Sequence, residues 1–265
     1  MPLRSPNKLR QKLEAGLCVT GSAIYSYSPN IVEAVAHSGV DFVRIDSEHA
    51  WRRDDSMDHM VRAALLAGVV PIIRLDRDDP YLPRKAFEIG AGGVVVPNVR
   101  DAEDARRVVD AARFPPLGSR GLGPLSLAGE WGRRDAAEWV AYSNRELLVG
   151  IMIESAEAIP ELDAIMAVPG FDFVLFGPGD FGLSLGARTP AEIAAETRKA
   201  LVATARAARA AGKHMMFGVG LDDELARQCV GFGVNMIEFS HDVLMVRLAL
   251  EPKVQAFGNM AATPA

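Results

Sequence analysis

A chain of 265 residues is the usual size of a single α/β barrel and too long for a minimal domain. With 49% apolar and 24% charged residues it can bury a sizeable core and keep a charged surface. A net charge of −5 with no basic block excludes a chain built to track a phosphate backbone, and no run reaches the ~20 apolar residues of a membrane span.

The first ten residues are polar and basic, with no apolar run behind them, so a secretory leader is not expected. Segments 1–6 and 259–265 read as flexible tails of one domain spanning 1–265. A helix over 7–15 precedes the first strand and is placed under the barrel floor. Short β-branched runs then alternate with amphipathic stretches. Strands are expected at 19–24, 42–46, 70–75, 93–97, 147–154, 173–177, 214–219 and 236–240. Helical patterns fall at 29–38, 55–67, 80–89, 101–113, 156–167, 190–211, 222–230 and 242–257. Their punctuation is consistent: Pro80 in a first turn, Asp101 and Asp104 at capping-box spacing, and Gly212 as a stop. Strands apolar on both faces and joined by helices mean a buried parallel sheet. Eight βα units favour a closed (β/α)8 TIM barrel over an open doubly wound sheet, and no GxGxxG follows the first strand. The longest irregular stretch, 114–134, is placed on the active-site side; loops of ~20 residues in compact domains usually carry function. Cys18 and Cys229 lie far apart and form no CxxC pair, which fits free thiols in a reducing, cytoplasmic setting.

In a barrel, polar residues at the C-terminal ends of strands share one mouth. Strand two ends in Asp46, followed by Ser47, Glu48 and His49; strand three ends in Arg74; strand five closes an apolar run with Glu154; strand six runs into Gly177-Pro178-Gly179-Asp180. A carboxylate ending a buried strand needs a partner. For Glu154 that partner is either Arg74 or a hard cation such as Mg²⁺ or Mn²⁺ shared with Asp180. Asp180 could instead cap a turn. His49 is the best base candidate, with His241 in reserve; His37, His59 and His214 lie on helices or at the wrong rim. Arg74 suits a carboxylate or an enolate oxygen, or pairs with Glu154 or Asp46. Arg120 either binds substrate or anchors the long loop. The Gly218-Val219-Gly220 turn is either a phosphate cup or a tight turn.

Six stretches, in order, resemble the HpcH/HpaI family of class II pyruvate aldolases: Asp46-Ser47-Glu48-His49, Ile73-Arg74, Glu88-Ile89-Gly90-Ala91, the run from Phe114 to Gly121, Ile153-Glu154-Ser155 and Gly177-Pro178-Gly179-Asp180. The likeness runs from about Leu9 to Leu250. It implies a barrel of the phosphoenolpyruvate/pyruvate type and a reversible aldol cleavage of a 4-hydroxy-2-oxo acid to pyruvate, or hydroxypyruvate, plus an aldehyde through a metal-stabilised enolate. It implies one divalent ion (Mg²⁺, Mn²⁺ or Co²⁺) on Glu154 and Asp180, and no organic cofactor. Arg74 would contact the keto oxygen, His49 would serve as acid/base paired with Glu88, Asp46 would orient them, and the backbone of Gly179 and Asp180 would receive the pyruvate carboxylate. A hexamer or trimer is implied, with C-terminal helices packing on a neighbour. Glu88 stands where many members have Asp, and Met152 where many have Gln. The long loop carries Trp131 behind an acidic Glu130, which disfavours an acidic aldehyde. The alternatives are a carbon–carbon lyase acting on a CoA thioester, for which no basic groove is evident, and a catalytically silent barrel module.

Overall fold

The computed structural model describes residues 5–49, 55–77 and 79–258. Segments 1–4 and 259–265, expected to be tails, lie outside the described residues. Eight strands, β1 (Val19–Ile24), β2 (Phe42–Asp46), β3 (Val70–Arg74), β4 (Gly93–Val96), β5 (Leu148–Ile153), β6 (Phe173–Phe176), β7 (His214–Gly218) and β8 (Met236–His241), close in sequence order into a barrel. Every neighbouring pair is parallel, including β1 with β8. The helices are α1 (Lys8–Glu14), α2 (Pro29–Ala36), α3 (Ser56–Ala67), α4 (Leu82–Glu88), α5 (Ala102–Ala112), α6 (Ala136–Glu146), α7 (Leu162–Met166), α8 (Pro178–Ser184), α9 (Pro190–Ala210), α10 (Asp223–Phe232) and α11 (Asp242–Phe257).

Strand parity builds two cores. One set of alternate residues packs inside the barrel with Leu9 and Leu13 of α1 as the floor: Val19, Phe42, Ile72, Leu148, Met152, Phe173 and Met236 are among them. The other set, such as Val43, Ile45, Ile73, Val149 and Ile151, packs outward against the helices. Small and large residues interdigitate inside. A side chain on Gly150 would stand 2.2 Å from the Phe173 ring, and one on Gly21 would stand 2.4 Å from Phe42. The glycines are what allow both phenylalanines to fill the lumen. The same parity turns Asp46, Arg74 and Glu154 inward, because each is an even number of residues from an inward neighbour on its own strand.

The differences from the sequence reading have local causes. Segment 156–167 is a 3₁₀ turn (Ala156–Ala158) followed by α7. Pro160 interrupts the ladder between them. Helix α8 is hidden in the sequence by Gly179 and Gly182, and α6 falls in an interval with no assigned element. Asp135 caps α6 by accepting from the Glu138 amide. The long loop reaches the active-site side only with its second half, where Leu127 and Trp131 border the cleft shared with Glu48. It follows α5, which has already reversed the chain, so it begins at the floor of the barrel. Arg113 fixes that start, with 2.9 Å to the Leu147 carbonyl and 2.6 Å to Asp172, both preceding strands. From there the loop wraps outward onto α4, where the Ala128 amide donates to the Glu88 carbonyl at 3.0 Å.

Candidate active site

The mouth is organised by buried charge. Asp46 and Arg74 are register partners on β2 and β3, and Asp46 Oδ2 lies 2.5 Å from Arg74 Nη2. The same oxygen accepts from Arg44 Nη1 at 2.8 Å. Arg44 also forks onto Glu238 of β8, at 2.6 and 2.8 Å. The small inward residues of β1, Gly21 and Ala23, leave that reach open, since Ala23 is the register partner of Arg44. Burial works against an ionised Asp46, but the guanidiniums of Arg74 and Arg44 hold its carboxyl below the ordinary range. Arg74 is thereby locked: Glu48 lies 3.0 Å from its Nη1, and the Met152 sulfur 3.9 Å from the same nitrogen.

Glu154, just past β5, is 6% exposed, and its Oε1 accepts from the Asn98 amide at 2.7 Å. Asn98 presents that amide from a left-handed conformation, φ 55°. The other oxygen, Oε2, is buried without a hydrogen bond. Asp180 lies exposed in the first turn of α8, which follows β6. Burial first, and then the charges of Glu48 and Asp180, push the Glu154 carboxyl up to about 7. Glu48 is raised as well, by burial and by Asp46 and Asp180 against the pull of Arg74. Among the described residues no group of three or more His, Cys, Asp or Glu side chains is arranged as a metal cage. What is present is an orphaned buried carboxylate oxygen repelled by neighbouring carboxylates, a donor set that suits a hard divalent cation with open positions for water or substrate. Gly177 keeps the site open, since a side chain there would come within 2.9 Å of Glu154 Oε2.

The other predicted residues divide. His49 sits exposed at the rim, with its amide bound to Asp46 Oδ1 at 3.0 Å. Glu88 does not meet it within one chain: it ends α4, lies 3.9 Å from Arg84, and packs against Gly123 of the long loop. Met152 is buried beneath the mouth. Gly179 faces open space, with nothing within 4 Å of where a side chain would begin. Gly220 takes φ 64°, as a tight turn requires. Arg120, read as either substrate binder or loop anchor, makes the contacts of an anchor. It is 5% exposed, donates to the Ala112 carbonyl and Ser143 Oγ at 3.0 and 2.6 Å, and stacks 3.7 Å from the Phe114 ring centroid. Burial, with Arg113 nearby, pushes its guanidinium down to about 9. A cleft of about 590 Å³ runs beside the mouth between α3 and α4, bounded by Glu48, Leu75, Lys85, Leu127 and Trp131.

A sequence profile described as HpcH/HpaI aldolase/citrate lyase matches residues 23–249. The chain belongs to the HpcH/HpaI aldolase/citrate lyase family. It is 34% identical over 257 residues to 2-keto-3-deoxy-L-rhamnonate aldolase of Klebsiella pneumoniae subsp. pneumoniae, covering 97% of this chain and 93% of that one. The crystal structure of an HpcH/HpaI aldolase from Desulfitobacterium hafniense DCB-2 superposes with a TM-score of 0.87 at 31% identity, over 97% of this chain and 99% of the other. Citrate synthase SbnG gives 0.83 at 28% identity, over 94% and 96%. This HpcH/HpaI family chain is thus a carbon–carbon lyase of the class II aldolase type, in a family that is generally divalent-metal dependent.

Some mouth residues of this HpcH/HpaI aldolase escape a reading of strand ends. Arg44 and Glu238 lie one step below the rim, and their pairing across β1 depends on barrel closure. Glu48 is visible just past β2, but its pairing with Arg74 is not. Tyr25 follows β1 directly, and extending the strand-end rule to the first strand finds it.

Proposed function

We propose that this family member is a divalent-metal-dependent aldolase that cleaves a 4-hydroxy-2-oxo acid reversibly to pyruvate, or hydroxypyruvate, and an aldehyde. The observation that carries the reading is the opposition of two charge sets across one mouth: carboxylates Glu154 and Asp180 on the β5–β6 side, and Arg74 locked by Asp46 and Glu48 on β3. Glu154 and Asp180 would hold the ion. Bound there, a divalent ion supplies Lewis-acid polarisation of the keto group. Mg²⁺, Mn²⁺ and Co²⁺ all suit this oxygen donor set.

The chain's own groups do the rest. Arg74 donates to the keto oxygen and stabilises the negative charge gathering there as the C3–C4 bond breaks. Asp46 keeps the guanidinium from turning away, and through its other oxygen it fixes the His49 backbone. His49, directly or through a water, takes the C4 hydroxyl proton, and the enolate carbon is then protonated to give pyruvate. The open backbone at Gly179 and Asp180 receives the substrate carboxylate. Met152 offers that substrate a thioether and no hydrogen-bond donor, so recognition of the pyruvate half rests on Arg74 and the backbone. The rhamnonate aldolase named above suggests a deoxysugar acid as the substrate class.

The reading includes a cytoplasmic homo-oligomer, trimer or hexamer. Two free thiols fit a reducing compartment. Val243, Val246, Leu250, Val254 and Phe257 leave an apolar face on α11 that a neighbouring copy would cover. The test is pyruvate release from 4-hydroxy-2-oxo acids after EDTA treatment and re-addition of each metal. Release that persists in excess EDTA sinks the proposal, as does a borohydride-trapped Schiff base. Tight acyl-CoA binding in calorimetry would favour the CoA-thioester lyase instead.

A further inference from the structure

Tyr25 is half-buried immediately after β1, at the mouth end. Its phenol oxygen lies 3.4 Å from Arg74 Nη2, and the Arg44 guanidinium acts on it as well. Arginine only donates hydrogen bonds, so the phenol oxygen accepts and its own proton remains to be given. No acceptor among the described residues takes that proton. The side chain is held in place from two directions. Its ring meets His241 edge-on, with centroids 5.0 Å apart and planes at 89°. The two carboxylate oxygens of Asp242 accept from the Tyr25 and Ser26 amides at 2.9 and 3.0 Å. In the closed strand order β1 stands opposite β5, with β3 between them along one side. Tyr25 and Glu154 therefore stand on opposite sides of the mouth, with Arg74 between.

We propose that Tyr25 is a catalytic hydrogen-bond donor to the C4 oxygen of the substrate, the oxygen that is a hydroxyl in the hydroxy-oxo acid and the carbonyl of the aldehyde. The assignment rests on the aldolase reading. If the β5–β6 carboxylates and Arg74 take the pyruvate half, the half that becomes aldehyde extends toward β1, where a fixed donor waits. In cleavage the C4 hydroxyl gives its proton to the base, the C3–C4 electron pair passes into the enolate, and the C4–O bond becomes a carbonyl. Tyr25 keeps its proton throughout and offsets the charge on that oxygen. Burial, followed by the Asp46 carboxylate, raises the phenol's pKa, which keeps the donor protonated at neutral pH. Donation from Arg74 into the phenol oxygen polarises the O–H and strengthens it as a donor.

The test is Tyr25→Phe, which keeps the ring against His241. Two rates are measured with the metal-loaded enzyme: condensation of pyruvate with the aldehyde the wild type accepts best, and deuterium exchange into the pyruvate methyl group by NMR. Exchange needs only the pyruvate half. The expected result is a condensation-to-exchange ratio lowered roughly 10²-fold, the scale of one donor to a developing oxyanion. An unchanged ratio overturns the proposal. So does an equal fall of both rates, which would make Tyr25 a support for Arg74. A wild type that neither exchanges nor condenses removes the aldolase reading itself, and this assignment with it.

Discussion

Replacing Glu154 by Gln separates what the site costs the fold from what it gives to function. In the metal-free protein the carboxyl is raised from 4.5 to about 7 by burial and by Glu48 and Asp180. Ionised, such a group penalises the native state by roughly 3 kcal/mol, reduced to about 1–2 kcal/mol by water at the half-open mouth. Below pH 4.5 the carboxyl is protonated in both folded and unfolded chains and costs nothing. Between pH 4.5 and about 7 the folded chain holds a proton that the unfolded chain has lost, so stability falls as pH rises. Above pH 7 the full penalty applies. The amide introduced by Glu154→Gln would not titrate and would keep an acceptor for the Asn98 amide. In EDTA at pH 8 the variant should melt about 3–6 °C above the wild type, with the gap closing toward pH 5. Added Mn²⁺ or Mg²⁺ should reverse the order, because only the wild type gains binding energy from the ion. Calorimetry at the two pH values, with and without metal, reads all of this. An equal gap at pH 5 and 8, or equal metal stabilisation of both proteins, refutes the placement of the ion on Glu154.

Arg44→Met should cost about 3–5 kcal/mol in urea unfolding, because Glu238 is left buried without its partner; adding Glu238→Leu should recover much of that, and a larger loss in the double variant would contradict the pairing. Arg120→Lys should lose about 1–3 kcal/mol through its two hydrogen bonds and the Phe114 stack while turnover per folded enzyme holds; lost turnover at full stability would return Arg120 to the substrate. Gly150→Ala should destabilise by about 1–3 kcal/mol against the Phe173 ring. Gly179→Ala meets no neighbour, so it should leave melting unchanged and raise the KM for pyruvate; an unchanged KM would move the carboxylate elsewhere.

What the sequence made legible follows from how each feature is encoded. Strand positions came within a residue or two because apolar runs and turn residues are local signals, and the ends of those strands then placed Asp46, Arg74 and Glu154 at one mouth. Arg44 was invisible for the opposite reason. Its partner Glu238 lies on the last strand, and only closure of the barrel past the small residues of β1 brings them together. Glu88 and Arg120 show a related limit. Both sit in family-like motifs, yet Glu88 ends α4 on the cleft beside the mouth and Arg120, in the loop after α5, packs on Phe114, so a motif's place along the chain does not give its place around the barrel. The same geometry explains Tyr25. A strand end says that a residue reaches the mouth, but its use depends on the groups opposite. Here those are arginines that can only donate, and they leave the phenol proton free for a substrate oxygen.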